Sequence, residues 1–230
     1  MTSLRSCLLV TTVLAGFAFT AGTAAAASPA ATADGAAAMQ VTNVNAGTQA
    51  AQSFVAKMGD RALGVIRNEG MSDAERASGL RNVLTQSFDL QTIARFSLGR
   101  YWREATPAQQ SQYVKLFEDM VVNVYTNRFR DYAGQTFTVE SANADANGGD
   151  AIVHSIVTPA AGKGGAPINV DWRVRNKGGS YKVVDVMVEG VSMAVTQRSD
   201  FSAVIQKNGG DFQALLDYLK TPQATANAAK

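Results

Sequence analysis

A chain of 230 residues with 21 basic and 19 acidic side chains is long enough for one domain with a full core and leaves little room for a second. That near balance of charge argues against nucleic acid as partner, since phosphate binding wants a clustered basic excess. Its one cysteine, Cys7, excludes a disulfide framework, so the core alone must hold the fold.

At the N-terminus, Arg5 precedes an apolar stretch from Cys7 to Phe19, and small residues follow up to Ala27. This pattern predicts a secretory signal peptide over residues 1–27, cleaved near Ala27. The apolar stretch is shorter than the roughly 20 residues a membrane span needs. Residues 28–48, rich in Ala, Thr, Gly and Asn, read as a flexible spacer. With residues 223–230 read as a disordered tail, one domain is expected over residues 49–222.

Within it, Phe54, Val55, Met58, Leu63, Val65 and Ile66 recur at helical spacing between Ala51 and Glu69, and Gly70 ends the run. Ser72 and Glu75 stand at capping-box spacing before a second helix carrying Ala77, Leu80, Leu84 and Phe88. Asp89 is placed to cap a short third helix with Leu90, Ile93 and Phe96, stopped by Gly99. Thr106, Pro107 and Gln109 then start a long helix to about Asp131. Its apolar stripe runs from Tyr113 through Phe117, Val121 and Tyr125 to Tyr132.

After Gly134 the period changes to two. Segments 136–142, 151–159, 168–175 and 181–189 are separated by turn residues, which predicts a four-stranded antiparallel meander. The third strand alternates most cleanly, with Ile168, Val170, Trp172 and Val174 on one side and Asn169, Asp171, Arg173 and Arg175 on the other. The fourth is apolar on both faces. Two short helices close the chain, one over 200–207 and one started by Asp211 and bearing Leu215, Leu216 and Leu219. The expected class is α+β, with N-terminal helices packed on one face of a curved sheet.

Catalytic chemistry is sparsely supplied. His154 is the only histidine, and with no cysteine or second histidine to share a metal its reading is structural. Gly162–Gly165 (GKGG) lacks the helix and hydroxyl residue of a phosphate loop. Asp171 and Asp185 are the carboxylates expected to sit among apolar neighbours, where burial would raise the pKa of either toward a working range, although Asp171 falls on the polar side of its strand beside Arg173 and Arg175. An enzyme of steroid-isomerase type, on a cone-shaped α+β fold, would use one of them as base. Arg100, Arg103, Lys177 and Lys182 could contact anionic partners, but charges scattered in this way are more often a solvated surface. Periodicity leaves open whether the bulky inward surface is a filled core or a lined cavity.

Two motifs narrow the reading: LGRYWREATPAQQSQYVKLF at 98–117, and DVMVEGVSM at 185–193. With the order and spacing of elements from Phe54 to Leu219, they resemble the MlaC family of periplasmic phospholipid-binding proteins, the toluene-tolerance auxiliary components. The resemblance implies a monomeric periplasmic carrier that makes and breaks no bond and needs no cofactor. It would move phospholipid between an outer-membrane lipoprotein complex and an inner-membrane ABC transporter with an MCE-domain component. The acyl chains would lie in an apolar cavity between helices and sheet. Phe96, Tyr125, Ile168, Val170, Trp172, Val174 and Val191 would line it, with Tyr101 and Trp102 at its mouth or in support. The longer Ala-rich leader and the Gly-rich loop leave a hopanoid or another apolar lipid as the alternative cargo.

Overall fold

Four helices start where the capping chemistry of the sequence puts them, at Ser72, Asp89, Thr106 and Asp211. A computed structural model of the chain describes residues 33–129, 134–146, 148–162, 164–222 and 224. The expected signal peptide, Tyr132, Lys163 and the tail beyond Ala224 lie outside the described residues. Among the described residues, seven helices and five strands follow one another: α1 (Ala33–Ile66), α2 (Asp73–Ser87), α3 (Leu90–Leu98), α4 (Tyr101–Glu104), α5 (Pro107–Phe129), β1 (Thr136–Ala144), β2 (Asp150–Thr158), β3 (Ile168–Lys177), β4 (Ser180–Val188), β5 (Val191–Ser192), α6 (Met193–Lys207) and α7 (Phe212–Leu219).

The Ser72 hydroxyl accepts from the Glu75 backbone N–H, and the Glu75 carboxylate accepts from the Ser72 N–H at 2.7 Å, a reciprocal capping box. Asp89 accepts from the Thr92 N–H at 3.0 Å. Thr106 and Gln109 close a second box before α5. Gly99, at φ 56°, ends α3 in a conformation that disfavours any side chain.

The structure departs from the sequence expectation in four places. First, α1 begins at Ala33, inside the stretch read as spacer. Alanine has the highest helix propensity, and the Ala36–Ala38 run carries the helix outward where no apolar periodicity announces it. Second, the sheet has five strands, because the chain turns at Glu189 (φ 49°) and Gly190 (φ 77°) and pairs Val191 with Val188. Third, α6 starts at Met193 rather than near Asp200. The Ser192 hydroxyl accepts from the Val195 N–H, and Asp185 accepts from both the Ala194 N–H at 3.1 Å and the Ser192 hydroxyl at 2.6 Å. Fourth, Ala224, within the expected tail, is buried against the helices.

The strands form an antiparallel sheet in the order β1-β2-β3-β4-β5. Bulges at Val139/Ser141 and at Val184, the residue left unpaired between Val183 and Asp185, increase its twist. The bulge brings Val183 and Val184 both into the interior, which accounts for the fourth strand having no wet face at that point.

Two hydrophobic clusters hold the molecule. In one, Ala51, Val55 and Met58 of α1 and Val83 of α2 lie on Val153, Val174 and Val183 of the sheet. Gly59 is required there, since a Cβ on it would stand 2.4 Å from the Phe137 ring. The other cluster is helical: Tyr113 and Phe117 of α5 meet Phe201 edge-on, with centroids 5.9 and 6.2 Å apart, and Leu215 and Leu216 of α7 complete it. The buried Tyr113 hydroxyl donates to the Ala94 carbonyl at 3.0 Å, tying α5 to α3, and burial pushes the phenol's pKa well above 10.0. α1 contacts β1, β2 and β3, whereas α2, α3 and α6 reach the sheet through β4. The Asp89 N–H donating to the Val183 carbonyl at 2.9 Å fixes the start of α3 to that strand.

Candidate functional site

Antiparallel pairing puts directly opposite residues on one face of a sheet. Phe137 opposes Val157, which opposes Ile168; Val153 opposes Trp172, which opposes Val186; Ser155 opposes Val170, which opposes Val188, and Val188 opposes Val191. Every strand therefore contributes apolar side chains to a single face. Ser155 is the polar exception among these.

The other face is wet. There the Asn143 amide nitrogen stands 3.1 Å from Nε2 of His154, and Nδ1 of His154 stands 2.8 Å from the Asp171 carboxylate. Asp185 lies on this side too, opposite Arg173, with its oxygens engaged at the start of α6. Both carboxylates that an isomerase-type mechanism would use are thus directed away from the apolar face. Their partners are structural.

On the apolar face, Trp172 is the pivot. Its indole N–H donates to Ser155 Oγ at 2.9 Å, and that hydroxyl donates to the Val170 carbonyl at 2.7 Å. Phe88 and Phe137 meet the indole edge-on, with centroids 6.3 and 6.0 Å away. Ser155 was not among the residues expected at the site, although the alternation Ala151, Val153, Ser155, Val157 places it on the apolar side. Phe137 and Val188 are further members that alternation alone could have identified.

Of the eight residues expected at the site, seven as lining and Tyr101 at its mouth or in support, Ile168, Val170, Trp172, Val174 and Val191 come together on this face. Phe96, Tyr101 and Tyr125 stand on the helices. Val174 is fully buried beneath α1, and Tyr101 is buried in the helical cluster, its hydroxyl accepting from Arg100 at 2.8 Å. Tyr125 packs half-buried on the same cluster. By contrast, Phe96, Ile168 and Val191 are 45%, 39% and 55% exposed, and Val195 on α6 is 51% exposed. These four are the large hydrophobic residues left most open to solvent among those described. Ile168 and Val191 belong to the apolar face at its end away from Val174, so that face is closed by α1 at one end and unsealed at the other.

A cavity of about 450 Å³ lies elsewhere, between the α2–α3 junction, α5 and the β3–β4 hairpin. Asp89, Glu118, Arg175, Lys177 and Lys182 contribute to its wall, and none of the eight expected residues does. Its charges are mostly paired. Arg175 binds Asp150 through two bonds of 2.8 Å, which raise its pKa. Lys177 approaches Asp89 at 3.6 Å, and Lys182 donates to the Gln86 carbonyl. Burial opposes ionisation of Asp89, but the bonds from Thr92 and the Lys177 charge prevail and lower its pKa. For Glu118, burial and the neighbouring Asp119 act together and raise it.

Among the described residues no helix is long and apolar enough to cross a membrane. The MlaC protein family model matches residues 56–221. The chain is 34% identical to the toluene tolerance protein ttg2D of Pseudomonas putida over 118 residues, 51% of this chain and 53% of that one. It is 27% identical to the intermembrane phospholipid transport system binding protein MlaC of Haemophilus influenzae over 134 residues, 57% of this chain and 62% of that one. It therefore spans between a half and two thirds of the length of these relatives. The phospholipid-binding protein from Ralstonia solanacearum, solved in complex with a phospholipid, superimposes with a TM-score of 0.63 at 26% identity, over 78% of this chain and 99% of the other.

Proposed function

The chain belongs to the MlaC family, and on that footing we propose that it is a carrier of phospholipid, holding acyl chains against the apolar face of its sheet. The observation that carries this reading is the unsealed end of that face, where Ile168 and Val191 stand open to solvent. A sheet face built only to fill a core would be covered there. The lipid complex of the Ralstonia solanacearum relative supports the choice of cargo.

The physical task sets the character of the lining. Two acyl chains hold on the order of 30 methylenes, and at about 0.8 kcal/mol each their exposure to water costs roughly 24 kcal/mol. A carrier must come close to the bilayer's own solvation of those chains, yet release them. Valine, isoleucine and aromatic walls without an inward charge meet both requirements, whereas polar anchors in the wall would add a desolvation cost with every exchange. The carboxylates Asp171 and Asp185 lie on the opposite face, so the apolar face is left free of charge.

The carrier works as an exported, periplasmic monomer, its leader removed near Ala27. It shuttles phospholipid between an outer-membrane lipoprotein complex and an inner-membrane MCE-domain ABC transporter, a reading supported by the name of the Haemophilus influenzae relative. Phe96, from α3, completes the site on the helix side, with Tyr101 and Tyr125 supporting it from the helical cluster.

Transfer of fluorescent phospholipid between donor and acceptor vesicles, with and without the protein, tests the activity. Acceleration by the protein is expected. If organic extracts of the purified protein contain no lipid and transfer is not accelerated, the reading fails. A hopanoid recovered in place of phospholipid would keep the carrier and change its cargo.

A further inference from the structure

Arg95 on α3, Arg100 and Arg103 at α4 and Arg198 on α6 are all exposed, and Arg198 meets the end of α3 at Gly99. Arg95 lies 5.6 Å from the Trp102 ring centre, Arg100 4.8 Å from that of Tyr101, and Arg198 5.7 Å from that of Phe96. Arg103 follows one turn after Arg100, and its N–H donates to the Arg100 carbonyl. Arg198 reaches across from α6 because residue 99 is glycine: a Cβ there would stand 2.5 Å from its Nε. Among the described residues, none of the four forms an ion pair with a carboxylate. Glu104 is the single acidic residue in 95–104, and it acts on Arg100 from a longer distance.

Arg198, and Arg95 next to Phe96 in the chain, border the apolar side chains that the fold leaves open. Phe96 lies under Arg198, and Val191 and Val195 lead from β5 into the first turn of α6. We propose that this arginine and aromatic surface docks on the face of an anionic phospholipid bilayer, the guanidinium groups pairing with phosphates while Phe96, Val191 and Val195 enter the headgroup boundary. Guanidinium presents a planar fork that matches phosphate oxygens, and flat rings with apolar neighbours suit the level where headgroups give way to acyl chains. An acidic protein surface would satisfy the arginines and leave the three apolar side chains without a counterpart. The patch is continuous with the unsealed end of the sheet face through β5 and α6.

The test is flotation of the whole protein with vesicles of phosphatidylglycerol or of phosphatidylcholine, following the protein rather than any lipid it carries. Failure of lipid carriage therefore leaves the outcome readable. The protein is expected to float with phosphatidylglycerol and not with phosphatidylcholine, and to be released by about 1 M salt, where the screening length is about 3 Å. The Arg95→Gln/Arg103→Gln protein should lose roughly fivefold in partition for each arginine. Arg95→Lys/Arg103→Lys, which keeps the charge, should retain most of it, and both variants should match the parent in circular dichroism. Equal flotation with the two lipids, flotation with neither, or an unchanged Gln variant would overturn the proposal, as would capture by an acidic protein without vesicle binding.

Discussion

Trp172 on β3 donates its indole N–H to Ser155 on β2 at 2.9 Å, and this one bond fixes the largest side chain of the apolar sheet face. Without it a polar indole nitrogen would face valines. Ser155→Ala removes the acceptor, leaving the indole N–H unpaired, and takes one bond from the Val170 carbonyl, which accepts the Ser155 hydroxyl at 2.7 Å. Leaving such groups unsatisfied costs about 1–3 kcal/mol. Urea denaturation should show that loss, and the Trp172 indole proton should shift in an NMR spectrum. An unchanged indole resonance would remove Ser155 from its role.

Charge in the wall should separate binding from folding. Val191 is 55% exposed, so Val191→Glu should alter stability by no more than about 0.5 kcal/mol. The same change places a carboxylate where acyl chains are proposed to lie, and the lipid recovered per mole of protein should fall about tenfold or more. Full lipid content in Val191→Glu would exclude that end of the face from the site.

The contact between α1 and β1 predicts a steric penalty. A methyl group on Gly59 would meet the Phe137 ring at 2.4 Å, and because that ring also packs on Trp172 it has little freedom to yield. Gly59→Ala should therefore destabilise by about 1–3 kcal/mol despite its better helix propensity. Thermal melting reads this directly, at about 2–4 °C per kcal/mol for a chain of this size. A rise in melting temperature would show that propensity outweighs the clash.

Asp89 gives a pH dependence of known sign. Its pKa is lowered below 3.8 in the folded protein, so its contribution to stability is present above that value and disappears as pH falls through the lowered folded value. Asp89→Ala, which also removes the cap on Thr92 N–H, should cost about 0.5–2 kcal/mol at neutral pH. The gap between parent and variant should narrow in acid. A gap that stays constant down to full carboxylate protonation would contradict the assignment.

The helix starts were legible because each rests on local chemistry: Ser72 with Glu75, Asp89 with Thr92, and Thr106 with Gln109 all cap as their spacing indicates. The apolar face of β3 was legible from period two. The start of α6 was not, because half of its cap is supplied by Asp185, which pairs with it only after Glu189 and Gly190 reverse the chain. Nor did spacing reveal that Val183 and Val184 both turn inward, since a bulge is a property of the pairing with β3. On the site, alternation in the sequence grouped Ile168, Val170, Trp172 and Val174 on one face of β3, and the strand register keeps them together. Tyr101 is already buried among helices, and Ser155, a small polar residue, gave no sign of holding Trp172 in place.

The most direct test of the account is native mass spectrometry of the whole protein, purified gently and then again after incubation with phospholipid vesicles. The account predicts a species heavier than the bare chain by the mass of a phospholipid, releasing that lipid on activation, and a diminished fraction of it in Val191→Glu. Only the bare chain mass in both preparations would contradict it.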